Sequence, residues 1–302
     1  MSSERKRLEP INLLFGLMMG TADIIPGVSG GTVALIVGIY ERLVASVRAV
    51  ASGAANVLRG RISETQRLFG EVEWGFLIPL GIGIVTALVV GARVLEPLLE
   101  AYPVQSRALF FGLIAASVVV PWHRMETRSA VHLGAVMVAA ICAFVIVGFP
   151  PRAIDEPTLP IVFVAASIAI CAMILPGVSG SFLLLVLGLY ETTISALNAL
   201  DFAYIFVFIG GAAVGLAVFS KLLYYLLKTY HDLTMAALVG LMIGSLRALW
   251  PYQDETRQLL APPSIESLLQ VTALGVAGFV TVMLLIRLGR RIEERSRLET
   301  PG

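Results

Sequence analysis

One phrase occurs twice in this chain, each time inside an apolar run. It reads IIPGVSGGTVALIVGIYE at residues 24–41 and ILPGVSGSFLLLVLGLYE at residues 174–191. Proline ends a helix because it lacks the amide hydrogen and clashes with the preceding turn. The glycine and serine that follow favour a tight reversal and the start of a new helix. The phrase therefore predicts two helices that are broken at PGVSG.

The composition places both breaks inside a membrane protein. Of the 302 residues, 57% are hydrophobic and only 14% are charged, whereas soluble domains have about 25% charged residues. Apolar runs long enough to span a bilayer occur at residues 130–149, 203–227 and 267–286. We therefore expect an all-α, multi-pass protein of the cell membrane.

Ten apolar elements can be marked along the chain. They lie near residues 11–25, 29–47, 75–99, 106–121, 130–149, 160–175, 179–197, 203–227, 234–250 and 266–288. The second PGVSG phrase follows the first at an offset of 150, and the later stretch from Arg93 aligns with the stretch from Lys221 at an offset of 128. An extra linker at about residues 48–73 explains the difference, and it reads either as an amphipathic surface segment or as a solvated loop.

The chain is thus predicted to be one transmembrane domain, residues 1–302, that contains two five-element repeats at about residues 10–149 and 160–290. Each repeat crosses the membrane five times if its first two elements both span, or three times if they form a re-entrant hairpin. Both numbers are odd, so the second repeat is inverted relative to the first, as in secondary transporters. The sequence leaves both options open, and the re-entrant hairpin is the one we expect.

The distribution of basic residues orients this arrangement. With the N-terminus in the cytoplasm, the cytoplasmic side receives most of them: Arg48, Arg59, Arg61, Arg67, Arg124, Arg128, Lys228, Arg287, Arg290, Arg291, Arg295 and Arg297. The outer side receives chiefly Arg107, Arg152 and Arg257. This bias follows the positive-inside rule and predicts that both termini are cytoplasmic.

The two breaks are the predicted binding site, and the expected ligand is an anion. Irregular backbone at membrane depth is tolerated where it is buried in protein or lines an aqueous cavity. A new helix N-terminus offers unpaired N–H groups and the positive end of a dipole. The predicted phosphate-binding residues at the breaks are Gly27, Ser29, Gly30, Gly177, Ser179 and Gly180. The alternative is that both breaks are only packing kinks between close helices.

Charged residues inside apolar elements supply further candidates. Arg93 and Lys221 occupy matching positions in the two repeats, and a cation in each half of the membrane would suit a phosphate met on both sides. The alternative is that both side chains snorkel from helix ends. Asp23 before the first break, and Glu41 and Glu191 after the two breaks, are candidates for coupling or gating. Their alternatives are a carboxylate that satisfies backbone donors in the kink and two solvated helix ends.

Enzyme features are scarce in the sequence. The three histidines, His123, His132 and His231, have no partners at metal-ligand spacing, and no P-loop or dinucleotide fingerprint is present. We therefore expect a protein that is not an enzyme, with no metal or cofactor and with the lipid bilayer rather than nucleic acid as its partner. A homo-oligomer is left open.

The phrases GTADIIPGVSGGTVALIVGIYERL and MILPGVSGSFLLLVLGLYE resemble the membrane family long catalogued as domain of unknown function 368, now associated with polyprenyl-phosphate transport (the PopT group). The resemblance covers about residues 10–290. It implies a lipid translocase that returns undecaprenyl phosphate, the carrier of cell-wall glycan synthesis, from the outer to the cytoplasmic leaflet. The second phrase departs from the first at Met173, Ser181 and Phe182, so the resemblance does not give the two breaks equal roles.

Three other functions remain open from the sequence, the third being a structural or assembly partner, which would show no substrate dependence in any assay. A transporter or channel for a small soluble anion is the first alternative, because half-helix N-termini bind chloride or carboxylates equally well. A membrane enzyme that acts on polyprenyl phosphates is the second. It would need a nucleophile or a cluster of metal-binding carboxylates, and Asp23 stands alone in its apolar segment.

Overall fold

The computed structural model describes residues 9–25, 28–58, 60–150, 154 and 156–299, and for Leu58, Ala92, Glu96 and residues 288–299 it describes the backbone only. The α-helices run in chain order as α1 (Ile11–Ile24), α2 (Gly30–Ile36), α3 (Tyr40–Leu58), α4 (Ile62–Glu71), α5 (Trp74–Thr86), α6 (Ala92–Ala101), α7 (Pro103–Ser117), α8 (Val119–Arg124), α9 (Ala130–Ile146), α10 (Leu159–Ile174), α11 (Gly180–Val186), α12 (Tyr190–Asn198), α13 (Phe202–Thr229), α14 (His231–Ser245) and α15 (Ile265–Glu299). A π-helical turn at Ala87–Gly91 joins α5 to α6, and a 3-10 turn at Leu246–Leu249 extends α14.

The predicted class, an all-helical multi-pass membrane protein, is confirmed. Within the described residues, five helical stretches are long and apolar enough to cross a membrane, or six if α11 and α12 count as one span. The five are Trp74–Ala101, Pro103–Arg124, Phe202–Thr229, His231–Leu249 and Ile265–Arg287. Shorter apolar helices are α1, α9 and α10.

The apolar element after each break is two helices rather than the single element expected from the sequence. Both α2 and α11 have seven residues, which is a length of about 10 Å against about 30 Å of hydrocarbon. Each ends at a glycine in the left-handed region, Gly38 with φ 82° and Gly188 with φ 80°, where a side chain would be strained. The chain then turns sharply, and α11 and α12 make an angle of 107°.

The linker at residues 48–73 is helical, so the solvated-loop interpretation is corrected. Helix α3 continues to Leu58, and α4 follows almost at once. At its beginning α3 is tied to its neighbours by Arg42, which donates hydrogen bonds to Glu9 at 2.8 Å and to Glu73 at 2.7 Å. The Arg42 hydrogen bond holds the pKa of the Glu9 carboxyl below its usual value. This cluster connects the starts of α1, α3 and α5.

The long helices pack in four pairs, and two of these pairs link the two halves of the sequence. Helix α1 packs on α5 and α10 on α13, whereas α7 packs on α15 and α9 on α14. Small residues allow this close contact: a Cβ at Gly16 would overlap the Leu80 carbonyl, and a Cβ at Gly211 would overlap the Phe163 carbonyl. The equivalent positions Gly112 and Gly240 likewise face a partner's backbone. Each half thus contributes one helix to the α7–α15 pair and one helix to the α9–α14 pair.

Candidate anion-binding site

The two breaks meet each other in the folded protein. Ser29 is buried, with 1% of its surface exposed, and its hydroxyl is shared between the Met173 carbonyl at 3.1 Å and the Leu175 carbonyl at 3.2 Å. In the other direction, the Gly177 N–H donates to the Thr32 hydroxyl at 3.0 Å. Two motifs that lie far apart in sequence therefore form one junction of irregular backbone.

At the first break, the chain's own carboxylate occupies the start of α2. The Gly30 N–H donates to Asp23 Oδ1 at 2.7 Å, and the Gly31 N–H donates to the Ser29 hydroxyl at 3.1 Å. An acidic group at a helix N-terminus is favoured by the exposed N–H groups and the dipole. A phosphate would reach this end of α2 only by displacing Asp23.

The second break differs because Met173 replaces the acidic residue. The Ser179 hydroxyl lies 2.9 Å from the Ser181 hydroxyl and accepts a long hydrogen bond from the Phe182 N–H at 3.4 Å. Met173 packs against Gly180, where a Cβ would overlap its side chain. No described carboxylate caps α11, so the two breaks are chemically unequal, as their sequences indicate.

Gly177 is required by its surroundings. Its φ is 83°, and a Cβ at this position would lie 2.8 Å from the Ser245 hydroxyl oxygen and 2.9 Å from Met242 Cα. The Gly177 N–H is also the donor that reaches Thr32. Of the predicted site residues, Gly27 lies outside the described residues.

The remaining predicted residues lie apart from the junction. Arg93 on α6 and Lys221 on α13 are both exposed, and within the described part of the chain neither forms an ion pair. Glu41, at the start of α3, lies 3.7 Å from Arg124 and 3.5 Å from His231. Glu191 is exposed in the first turn of α12. Their roles at the site stay predictions.

A cavity of about 130 Å³ adjoins the junction and contains two arginines. Arg107 reaches it from α7, and Arg257 from the loop between α14 and α15. Ile25, directly after α1, and Phe182 of α11 line the same cavity. The other lining residues are Leu99, Pro103, Ser106, Phe110, Ala248 and Leu249. Both breaks therefore border a cationic cavity.

The electrostatics of this cavity favour an anion. Burial, and then the positive charge of Arg107, lower the pKa of the Arg257 guanidinium. Arg257 lies over the Phe182 ring at 4.4 Å from its centroid, and its Nε is buried without a hydrogen-bond partner among the described residues. None of the described carboxylates forms an ion pair with either arginine. Two guanidinium groups thus line one cavity without an ion-pair partner among the described carboxylates.

The loop holds Arg257 in an uncommon backbone conformation. Its φ is 63°, in the left-handed region that non-glycine residues rarely adopt. Asp254 supports the turn by accepting hydrogen bonds from the Gln258 N–H and the Thr256 hydroxyl, each at 2.8 Å. Arg247 donates to the Arg257 carbonyl at 3.3 Å. Strain of this kind persists where the surroundings fix it, often at functional sites.

Comparison with known proteins agrees with this geometry. The family described as VCA0040-like, undecaprenyl phosphate translocase-like, matches residues 19–265. The chain belongs to this translocase-like family. The match includes both breaks and both arginines of the cavity.

Two curated relatives are similar over most of the chain. A polyprenyl-phosphate transporter of Vibrio cholerae is 38% identical over 244 residues, which is 80% of this chain and 77% of that protein. A polyprenyl-phosphate transporter of Staphylococcus aureus is 32% identical over 260 residues, with 80% of this chain and 86% of that protein covered. No solved structure matches the chain.

Sequence reasoning missed the arginine cavity of this family member, although one signal pointed to it. The count of loop charges placed Arg107 and Arg257 among the few basic residues on the outer side. Basic residues on the outer side are exceptions to the positive-inside rule, which makes them candidates for a function. Arginine binds a phosphate through two parallel N–H groups, which makes this pair suited to a phosphate headgroup.

Proposed function

We propose that the protein transports polyprenyl phosphate across the membrane and that Arg107 and Arg257 bind its phosphate. The observation that carries this proposal is the pair of arginines, without a described counter-charge, in a cavity that both breaks border. The names of the two relatives support the lipid substrate. The proposal includes the undecaprenyl phosphate translocase activity that the family description names.

The phosphate headgroup of an amphipathic lipid fits the size of the cavity. At about 130 Å³ the cavity suits a headgroup rather than a whole polyprenyl phosphate, whose chain stays in the apolar phase. Only the phosphate then has to cross the protein, so a wide aqueous pore is unnecessary. Transport of this kind needs no chemical step, and the relatives' names as transporters agree with a protein that is not an enzyme.

The cavity is proposed to face the outer leaflet. This orientation goes with two inverted repeats. The α1–α2 and α10–α11 hairpins then enter the membrane from opposite sides and meet near its midplane. A large apolar cluster that includes Leu35, Tyr40, Met235 and Met242 is proposed to close the cytoplasmic side of the junction. The described conformation is then open to the outside and closed toward the cytoplasm, with both termini cytoplasmic.

Translocation is proposed to run from the outer to the cytoplasmic leaflet, so that the carrier is recycled for cell-wall glycan synthesis. The phosphate would pass between the breaks when the Ser29 and Gly177 hydrogen bonds open. Asp23 is proposed to gate this step because it competes with the phosphate for the Gly30 N–H. Arg93 and Lys221 are proposed to guide the headgroup near the two surfaces.

Leaflet transfer in liposomes tests the proposed function. Purified protein is reconstituted with fluorescent undecaprenyl phosphate, and transfer is followed for wild type, Arg107→Gln and Arg257→Gln. Each variant should lower the rate about tenfold or more, because a charge-assisted hydrogen bond contributes about 1.5–3 kcal/mol and about 1.4 kcal/mol is a factor of ten. Arg67→Gln is the matched control, since Arg67 on α4 is 75% exposed.

Two results would contradict the proposal. Unchanged transfer in the Arg107→Gln, Arg257→Gln double variant would show that the phosphate does not bind in this cavity. Transfer in wild type no faster than in empty liposomes, together with arginine-dependent uptake of chloride or inorganic phosphate, would favour the small-anion transporter instead.

A further inference from the structure

A second, apolar cavity lies beside the arginine cavity. Its volume is about 310 Å³, at the lower end of the range of about 300–1,000 Å³ for ligand pockets. It runs between α7 and α15 and is open at the surface. We call it the α7–α15 groove; its lining includes Ala108, Phe111, Trp250, Thr272, Val276 and Phe279.

The groove has a floor of small residues and walls of aromatic ones. At Gly112 a Cβ would overlap the Gly275 carbonyl, so the two helices are in backbone contact along the floor. Phe111 and Trp250 form an edge-to-face pair with centroids 6.2 Å apart. Trp250 is fixed by its indole N–H, which donates to the Leu260 carbonyl at 2.9 Å. Such a lining binds a thin apolar chain.

The groove and the arginine cavity are lined by neighbouring residues of the chain at two places. On α7, Arg107 lines the cavity and the next residue, Ala108, lines the groove. In the same way Leu249 lines the cavity, and Trp250, which follows it, lines the groove. A ligand with an anionic end in the cavity would have its apolar body close to the groove.

We propose that the α7–α15 groove binds the isoprene units next to the phosphate of the polyprenyl phosphate. The proposal rests on the proposed function, because a phosphate held by Arg107 and Arg257 places the attached chain at the groove. Charge complementarity at one end and an apolar lining at the other select a phosphorylated isoprenoid over a zwitterionic phospholipid. In this assignment the groove holds the isoprenoid chain and the arginines hold its charge.

Photo-crosslinking tests this assignment. Wild-type protein in lipid nanodiscs is incubated with undecaprenyl phosphate that carries a diazirine on its first isoprene unit, and labelled peptides are identified after irradiation. We expect saturable labelling on α7 and α15 within the groove. Val276→Trp, which fills the groove, should reduce this labelling about tenfold or more, because burial of several methylene groups is lost.

Val218→Trp is the matched control. Val218 on α13 and Val276 on α15 are exposed to 64% and 56%, and Val218 does not line the groove. Unchanged labelling in Val218→Trp, together with equal thermal stability of both variants, would attribute the loss in Val276→Trp to the groove itself.

The possible failures are distinguishable. Labelling outside the groove that still requires Arg107 and Arg257 would overturn the groove proposal and keep the proposed function. The groove proposal would also be overturned if phosphatidylglycerol reduced labelling of the groove as strongly as unlabelled undecaprenyl phosphate does. The groove would then be a general lipid site. An absence of saturable labelling in wild type would overturn the groove and the proposed function together.

Discussion

Ser29 connects the two halves of the molecule, and its hydroxyl is already used in hydrogen bonds within the protein. Its side chain is buried, contacts the carbonyls of Met173 and Leu175, and accepts from the Gly31 N–H. Ser29→Ala would leave these groups unpaired in the junction, and we expect a loss of about 1–3 kcal/mol in the free energy of unfolding. The measurement is unfolding of the purified protein in detergent by heat and by denaturant.

The control for this prediction is Ser195→Ala. Ser195 is exposed on α12, and a surface substitution of this kind changes the free energy of unfolding by about 0.5 kcal/mol or less. Equal stability of the two variants would show that the Ser29 hydrogen bonds do not hold the junction, and the break would then be free to bind an anion without structural cost.

The sequence marks single residues of the candidate site where they belong to the motif and not elsewhere. The repeated PGVSG phrase indicated Ser29, Gly30 and Gly177 because proline, glycine and serine have strong local preferences. Arg107 lies on α7, and Arg257 lies in the loop between α14 and α15, where no local preference marks them. Only the tertiary structure brings them to one cavity.

Among the helices, α5 offers a direct test of close packing. At Gly83 a Cβ would overlap the Leu13 carbonyl of α1, whereas a Cβ at Gly81 would meet nothing within 4 Å. Gly83→Ala should therefore lower the free energy of unfolding by about 1–3 kcal/mol, as overpacking does. Gly81→Ala should be neutral or stabilise by up to about 1 kcal/mol, because alanine is the better helix former. Equal effects of both substitutions would mean that α1 and α5 separate easily.

Helix positions followed from the sequence more closely than helix ends. The apolar runs and the breaks placed α1, α10 and the long spans correctly. The short helices α2 and α11 were merged with the helices that follow, because Gly38 and Gly188 sit inside runs that stay apolar on both sides. A glycine ends a helix only when it adopts a positive φ, and hydropathy does not report this angle.

At the scale of the whole molecule, the sequence predicts a repeat but not the helix pairing. Offsets of 150 and 128 align the two halves. They do not show that α7 packs on α15 and α9 on α14, because apolar faces in a membrane are alike and small residues alone decide close contact. This exchange of helices places the Trp250 loop of one half over α7 of the other and so creates both cavities.

The proposed inversion predicts which surfaces are accessible from outside the cell. Gln66 on α4 and Gln258 in the loop before α15 are both exposed, and inverted repeats with cytoplasmic termini place them on opposite sides of the membrane. In a background with Cys142→Ser and Cys171→Ser, single cysteines at these positions are tested with a membrane-impermeant maleimide. Gln258→Cys should react in intact cells, and Gln66→Cys only after lysis. The opposite result would reverse the orientation and place the arginine cavity on the cytoplasmic side. Labelling of both cysteines from the same side of the membrane would rule out the inversion.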